Sequence, residues 1–292
     1  MTQTPRQRFA AALAGGEMVV APGCYDAMMA KLIERAGFSA CYMTGAGTAA
    51  SNGFPDYGLL TMSEMVANAA RIASAVDIAV IADADTGFGN ELNVTRAVRE
   101  YERAGVAAIH IEDQGFPKKC GHLDNKTIVP AGEWLAKIRA AAAARTDPDF
   151  KIIARTDTNA GMGFDEAVSR SNAALEAGAD IAFLEAPKTP DEVAAVPNRV
   201  NGPCLFNLVM RGKTPPVELA GLAKVGYAVT ILPDVLWREM VSAAETTLAG
   251  IASGALPSQT DGLTVRDLFD RVGAADWDRL RDAYAQPARA AE

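Results

Sequence analysis

One unit recurs along the chain and restricts its fold more than any other feature. Glu34-Arg35-Ala36-Gly37 precedes the apolar run Phe38–Met43, Glu102-Arg103-Ala104-Gly105 precedes Val106–Ile111, and Glu176-Ala177-Gly178 precedes Asp180–Leu184. Each reads as a helix ended by a left-handed glycine that turns the chain into a strand. Further strand-like runs occur at Met18–Ala21, Ala79–Ala82, Lys151–Ala154, Cys204–Asn207 and Ala228–Leu232, between helical stretches rich in Ala, Glu and Arg. Continuous apolar runs mark strands buried on both faces, and so a parallel sheet. Eight β–α units over about 250 residues fit a (β/α)8 TIM-type barrel better than an open doubly wound sheet.

The barrel is expected over residues 1–255, opening with a helix near Gln7–Ala14. A helical extension is expected over 256–292. There Pro257–Gly262 is a turn-rich connector, Leu268 to Leu280 carries an apolar helical face, and the tail from Gln286 is expected to fray. A net charge of −8 argues against nucleic acid or an anionic membrane as partner. No apolar run approaches the roughly 20 residues of a membrane span, and Met1 to Ala10 has no signal-peptide core. Four scattered cysteines suggest reduced thiols in a cytoplasmic protein. Cys24, Cys41 and Cys204 sit in or beside apolar runs and read as core.

In a barrel of this kind the functional groups come from strand C-terminal ends and the loops that follow. Polar residues collect at those ends: Thr44-Gly45-Ala46 after the second strand, Asp83-Ala84-Asp85 after the third, and His110, Glu112 and Asp113 at the fourth. Arg155-Thr156-Asp157 follows the fifth, Glu185 the sixth and Asn207 the seventh. Six strands ending this way are hard to explain as packing. Asp83, Asp85 and Glu112 aimed at one mouth would raise one another's pKa unless a cation lay among them. Hard oxygen ligands suit Mg2+ or Mn2+; satisfaction by helix N-termini and Arg155 is the alternative. Cys120, in Lys118-Lys119-Cys120-Gly121-His122, lies among cations that favour the thiolate and reads as a reactive thiol; a surface loop is the plain alternative.

Tyr42–Gly47, Asp83–Gly89, Ile111–Gln114, Lys118–His122 and Ala154–Asp157 together resemble the isocitrate lyase/phosphoenolpyruvate mutase superfamily, in family order and across roughly residues 8 to 255. The Lys-Lys-Cys-Gly-His loop resembles the lyase branch, which includes isocitrate, 2-methylisocitrate and 2,3-dimethylmalate lyases. The compact length is similar to the latter two. The resemblance implies retro-aldol cleavage of a substituted malate to a 2-oxo acid, such as pyruvate, and a second carboxylate. The alternative within the superfamily is oxaloacetate hydrolysis or decarboxylation.

The resemblance also implies roles. Asp85 would hold Mg2+ directly, with Asp83 and Glu112 beside it. Arg155 would clamp a substrate carboxylate, and the amides around Thr44, Gly45 and Ala46 would hold the 2-oxo acid portion. Tyr42, Asp56, Gly121 and Asn207 would complete the substrate contacts. Cys120 would protonate the carbanion, tuned by His122 and Glu185. A small di- or tricarboxylate substrate and a homotetramer with exchanged C-terminal helices are likewise implied. Two positions depart from the family pattern. Thr44-Gly45-Ala46 stands for Ser-Gly-Gly, and Met210 stands where a glutamate is expected after Asn207.

Overall fold

The computed structural model describes residues 3–121, 125–258 and 261–285, so His122 and the tail from Gln286 lie outside the described residues. Eight strands, β1 (Val19–Cys24), β2 (Ala40–Met43), β3 (Ala79–Asp83), β4 (Ala108–Glu112), β5 (Lys151–Thr156), β6 (Ile181–Leu184), β7 (Cys204–Asn207) and β8 (Val229–Leu232), form a closed barrel in sequence order. Every pairing is parallel, and β8 returns to β1 with Val19 opposite Val229 and Pro22 opposite Leu232. This is the (β/α)8 barrel that the recurring helix–glycine–strand unit predicts. The three glycines of that unit, Gly37, Gly105 and Gly178, have φ of 88°, 89° and 108°, where a Cβ would be strained.

The helices around the barrel follow from their sequences. Glu91–Arg103 buries Val94, Ala97, Val98 and Tyr101, the one-sided spacing of an amphipathic helix. Asn90 caps it by accepting from the amides of Leu92 and Asn93. Burial of each large apolar side chain on such a face stabilises the fold by roughly 1.5–3 kcal/mol. The first helix, Pro5–Gly15, starts on a capping box between Thr4 and Gln7.

Alternation along each strand sorts the side chains into two sets. One set packs outward against the helices: Cys41, Met43, Val80, Ala82, Ile109, Ile111, Ile152 and Ala154 join Trp134 and Ile138. The other fills the barrel: Ala21, Ala40, Tyr42, Ala79, Ile81, Ala108, Ile153, Ile181, Phe183, Leu205, Val229 and Ile231. On three strands the inward set continues one step further into charge, with Asp83 after Ile81, Glu112 after His110, and Arg155 after Ile153. Register sets Asp83 opposite His110 and Glu112 opposite Arg155. The site is thus the top layer of the barrel's own interior.

By its internal contacts the chain divides into two compact units, 1–239 and 240–292. The second contains most of the helix Val235–Ala252 and two further helices, Val265–Asp270 and Ala274–Ala285. The single helical stretch expected from Leu268 to Leu280 is therefore split, at Gly273, whose φ of 89° leaves the helical region.

Candidate active site

At the mouth, a cavity of about 170 Å3 is lined by residues from six strand ends and the cysteine loop. Asp83 is held there by several hydrogen bonds. Its Oδ2 accepts from the Gly45 amide at 3.1 Å and from the Tyr42 hydroxyl at 3.3 Å, and its Oδ1 accepts from the Asp85 amide at 2.9 Å. His110 Nε2 lies 3.3 Å from Oδ1 and 2.8 Å from the Tyr42 hydroxyl. Burial opposes ionisation of Asp83, but His110, Lys118, Arg155 and the Asp85 amide outweigh it and bring its pKa down to about 2. Burial in turn lowers the His110 pKa to about 4 despite Asp83, so the ring is neutral near pH 7.

Asp85 and Glu112 are the strained partners of this group. Burial, reinforced by Asp83 and Asp56 and only partly offset by Lys118, raises the Asp85 pKa to about 6. Glu112 is pushed well above the usual carboxylate range by burial, against the pull of Arg155 and Lys118. Glu112 Oε2 lies 3.3 Å from Arg155 Nε, while its Oε1 has no hydrogen-bond partner.

Lys118 lines the same cavity as Cys120 and has a set of partners that sequence reasoning missed. Its ammonium is buried among carboxylates, 2.6 Å from Asp56 Oδ1 and 2.8 Å from Asp85 Oδ1. The second contact is an ion pair without hydrogen-bond alignment, so Asp85 Oδ1 is left without a hydrogen bond. Burial would lower the lysine's pKa, but the surrounding acids hold it well above its ordinary value.

Arg155 faces Asp157 with two contacts, Nε to Oδ2 at 2.9 Å and Nη2 to Oδ1 at 3.2 Å, and its Nη2 lies 3.8 Å from Glu185 Oε1. Its guanidinium also stacks over Phe183, 5.0 Å from the ring centre. Glu185 accepts from Asn207 Nδ2 at 3.1 and 3.3 Å. Behind them Asp113, fully buried, fixes the end of β5. It accepts from the Asp157 amide at 2.8 Å, from the Thr156 and Thr158 hydroxyls at 2.6 and 2.8 Å, and from Arg170 at 3.2 Å.

Cys120 is half-buried on the cavity wall beside Gly121, while Cys24, Cys41 and Cys204 are buried core residues. The cysteine loop leaves β4 and returns on a closed base. Gln114 pairs with Ile128, the Gly115 amide donates to the Thr127 carbonyl at 2.7 Å, and Gln114 bonds both the amide and the carbonyl of Lys119. Gly121 is pressed so closely onto Arg155 Nη2 and Glu185 Oε1 that a Cβ would collide with both. Thr44 caps the helix Gly45–Ser51 by accepting from the Gly47 amide at 3.2 Å. Met210 is 49% exposed and does not line the cavity; Val209, Pro233, Asp234 and Trp237 form that wall instead. Sequence reasoning missed these four, although Pro233 to Trp237 follow β8 directly, where a barrel's site residues are expected.

Tyr42, Thr44, Ala46, Asp56, Asp83, Cys120, Gly121, Arg155, Glu185 and Asn207 all line the cavity, and Gly45, Asp85 and Glu112 touch residues that do. Among the described residues no three His, Cys, Asp or Glu side chains are clustered as a ready-made metal site. The donor chemistry nevertheless fits a hard divalent cation: Asp85 Oδ1 and Glu112 Oε1 are buried oxygens without hydrogen bonds, and both acids are held above their usual pKa.

A barrel whose interior ends in buried carboxylates around one arginine, with a thiol-bearing loop across the top, is an enzyme site for small anionic substrates. A family profile described as phosphoenolpyruvate phosphomutase matches residues 9–252. The chain is 54% identical over 218 residues to a 2,3-dimethylmalate lyase of Eubacterium barkeri, covering 74% of this chain and 75% of that one. It is 43% identical over 269 residues to a 2-methylisocitrate lyase of Aeropyrum pernix, covering 91% and 86%. The solved structure of an oxaloacetate acetylhydrolase in complex with 3,3-difluorooxalacetate superposes with a TM-score of 0.94 at 34% identity, covering 98% of this chain and 100% of that one. The chain belongs to the phosphoenolpyruvate mutase/isocitrate lyase superfamily. Within it, the chain is a carbon–carbon lyase.

Proposed function

We propose that this lyase cleaves a substituted malate, of the 2,3-dimethylmalate or 2-methylisocitrate type, to a 2-oxo acid such as pyruvate and a second carboxylate, with Mg2+ or Mn2+ as cofactor. The charge imbalance at the mouth carries this reading. Among the described residues, Asp56, Asp83, Asp85, Glu112, Asp157 and Glu185 gather around the cations Lys118, Lys126 and Arg155. Burial, with neighbouring acids adding to it, raises the pKa values of Asp85 and Glu112, and a divalent cation would offset that cost. Bound by Asp85 with Asp83 and Glu112 beside it, that cation would polarise the substrate's hydroxyl and carboxylate oxygens and stabilise developing negative charge.

The remaining roles belong to the protein's own groups. Arg155 presents a planar guanidinium fixed by Asp157 and Phe183, suited to one end of a substrate carboxylate. Thr44, Gly45 and Ala46 offer their backbone to the 2-oxo acid portion, with Tyr42, Asp56 and Asn207 around it. A base at the mouth takes the hydroxyl proton, the C–O bond becomes the carbonyl of the 2-oxo acid as the C–C bond breaks, and that bond's electron pair leaves on the other fragment as a carboxylate-stabilised carbanion. Cys120, on the cavity wall, delivers a proton to that carbon, with Glu185 and His122 orienting it. The loop keeps water away so that the proton arrives from one side.

A second reading, oxaloacetate hydrolysis or decarboxylation, is favoured by the likeness to the oxaloacetate acetylhydrolase structure. A panel of alkyl malates, 2-methylisocitrate and oxaloacetate with Mg2+ separates the two. A 2-oxo acid with a second carboxylate supports the lyase; oxalate with acetate, or CO2, from oxaloacetate alone overturns it.

The free, buried core thiols fit a reducing, cytoplasmic setting. Exposed Leu268, Phe269, Trp277 and Leu280 in the second unit fit assembly into a homotetramer with exchanged helices. Truncation after Gly254 should then shift the mass in solution towards smaller species; an unchanged tetramer would show that this segment is not the assembly element.

A further inference from the structure

Lys126 has no role in the chemistry above, yet its side chain is only 3% exposed at the edge of the mouth. Its backbone is anchored, because the neighbouring Thr127 carbonyl accepts from the Gly115 amide and Ile128 pairs with Gln114. From that anchor its ammonium donates to the Gly121 carbonyl at 2.5 Å and to Asp157 Oδ1 at 2.6 Å. Asp157 is the same carboxylate that holds Arg155 through Nε and Nη2. Gly121 in turn rests directly on Arg155 and Glu185. One ammonium therefore ties the carbonyl of Gly121, the residue after Cys120, to the counter-ion of Arg155.

We infer that Lys126 is a positioning residue for proton delivery: by tying the Gly121 carbonyl to Asp157, it fixes Gly121 against Arg155 and Glu185 and so fixes where the adjacent Cys120 thiol stands on the cavity wall. The inference rests on the reading of Cys120 as proton donor. A purely structural role makes a different demand. Without the ammonium Asp157 still faces Arg155, so no buried charge is left without a counter-ion. What is lost is the donor that holds the peptide beside the thiol. A displacement of about 1 Å at a reacting group is enough to cost roughly 10²-fold in rate.

The test uses the full chain with 2,3-dimethylmalate and Mg2+, comparing Lys126→Met and Lys126→Arg alone, and Lys126→Met combined with Cys120→Ser. Lys126→Met is expected to lower kcat by about 10–100-fold, with KM moving far less and the melting temperature unchanged. Lys126→Arg, which keeps N–H donors, should recover most of the rate. In the Cys120→Ser background the methionine should add little, because the thiol it would displace is gone. Additive losses in the double variant, or a melting temperature that falls with the rate, overturn the proposal. Wild-type turnover in Cys120→Ser overturns the reading of Cys120 itself and this inference with it, so the two failures are told apart. Labelling of Cys120 by iodoacetamide, followed by peptide mass, needs no turnover. It should be faster in Lys126→Met, and an unchanged rate overturns the proposal even if 2,3-dimethylmalate is not cleaved.

Discussion

The floor and the mouth of the barrel are built from the same faces of the same strands, yet they are held by opposite physics. On β3 the inward side chains run Ala79, Ile81, Asp83; on β5, Ile153 is followed by Arg155. Below that step the interior is apolar and each buried group stabilises the fold by removing surface from water. Above it the groups are equally buried, but they are charged, and burial there costs desolvation that ion pairing only partly returns. The lesson is that the mouth does not hold itself together. Its acids are kept in place by strands whose stability lies one layer down, which lets Asp85 and Glu112 keep pKa values raised above those they would have in water.

If that division is right, substitutions at the two levels should affect different observables. The largest effect on activity should come from Asp85→Ala. It should abolish turnover and leave the melting temperature near wild type, since Lys118 keeps Asp56 as a partner. Activity surviving in that variant with excess chelator would break the divalent-cation reading. Cys120→Ser should lower kcat by roughly 10²–10⁴-fold with substrate affinity largely retained; steady-state kinetics with inhibitor binding would check the split. At the floor, Ile153→Ala should cost about 2–5 kcal/mol of stability. Urea unfolding should report that loss while kcat per folded molecule changes little. A proportional fall in kcat would show that the two levels are not separable.

The smallest expected effect sits on the boundary between them. His110, fully buried, has its pKa lowered from 6.5 to about 4. The unfolded chain therefore takes up a proton before the native one as pH falls from 6.5 towards 4, and stability is lost in that window. The loss from this group is at most roughly 3 kcal/mol. It runs against the raised Asp85, which favours the native state between pH 6 and 3.8 as the pH falls. His110→Gln should flatten the acid side of the urea midpoint against pH. A curve as steep as wild type's would assign the acid loss elsewhere.

The barrel was legible in the sequence because strands buried on both faces are apolar throughout, and glycine marked where helices hand over to them. The strand ends were less so. Reading by apolar runs stopped at Ala82, Ile111 and Ala154, whereas the ladder continues to Asp83, Glu112 and Thr156. The backbone keeps pairing where the chemistry begins. The convergence of Asp83, Glu112, Arg155 and Glu185 was legible for the same reason, since a charge at the end of a buried strand has few other places to go. Pairings across long separations were not. Lys118 reaches Asp56, 62 residues away, and Lys126 reaches Asp157, 31 residues away. One sequence carries no signal that selects those acids over nearer ones.

Where β8 meets β1, the Gly23 α-carbon lies so close to the Pro233 backbone that no side chain would fit between them. This is the seam along which the first strand accepts the last. During synthesis the acids of β3 and β4 and the arginine of β5 emerge long before Val229–Leu232 exist to shut the ring. Until that seam closes, the floor that keeps those charges out of water is unfinished. The ring beneath the catalytic layer is therefore complete only once the last strand has been made and has met the first.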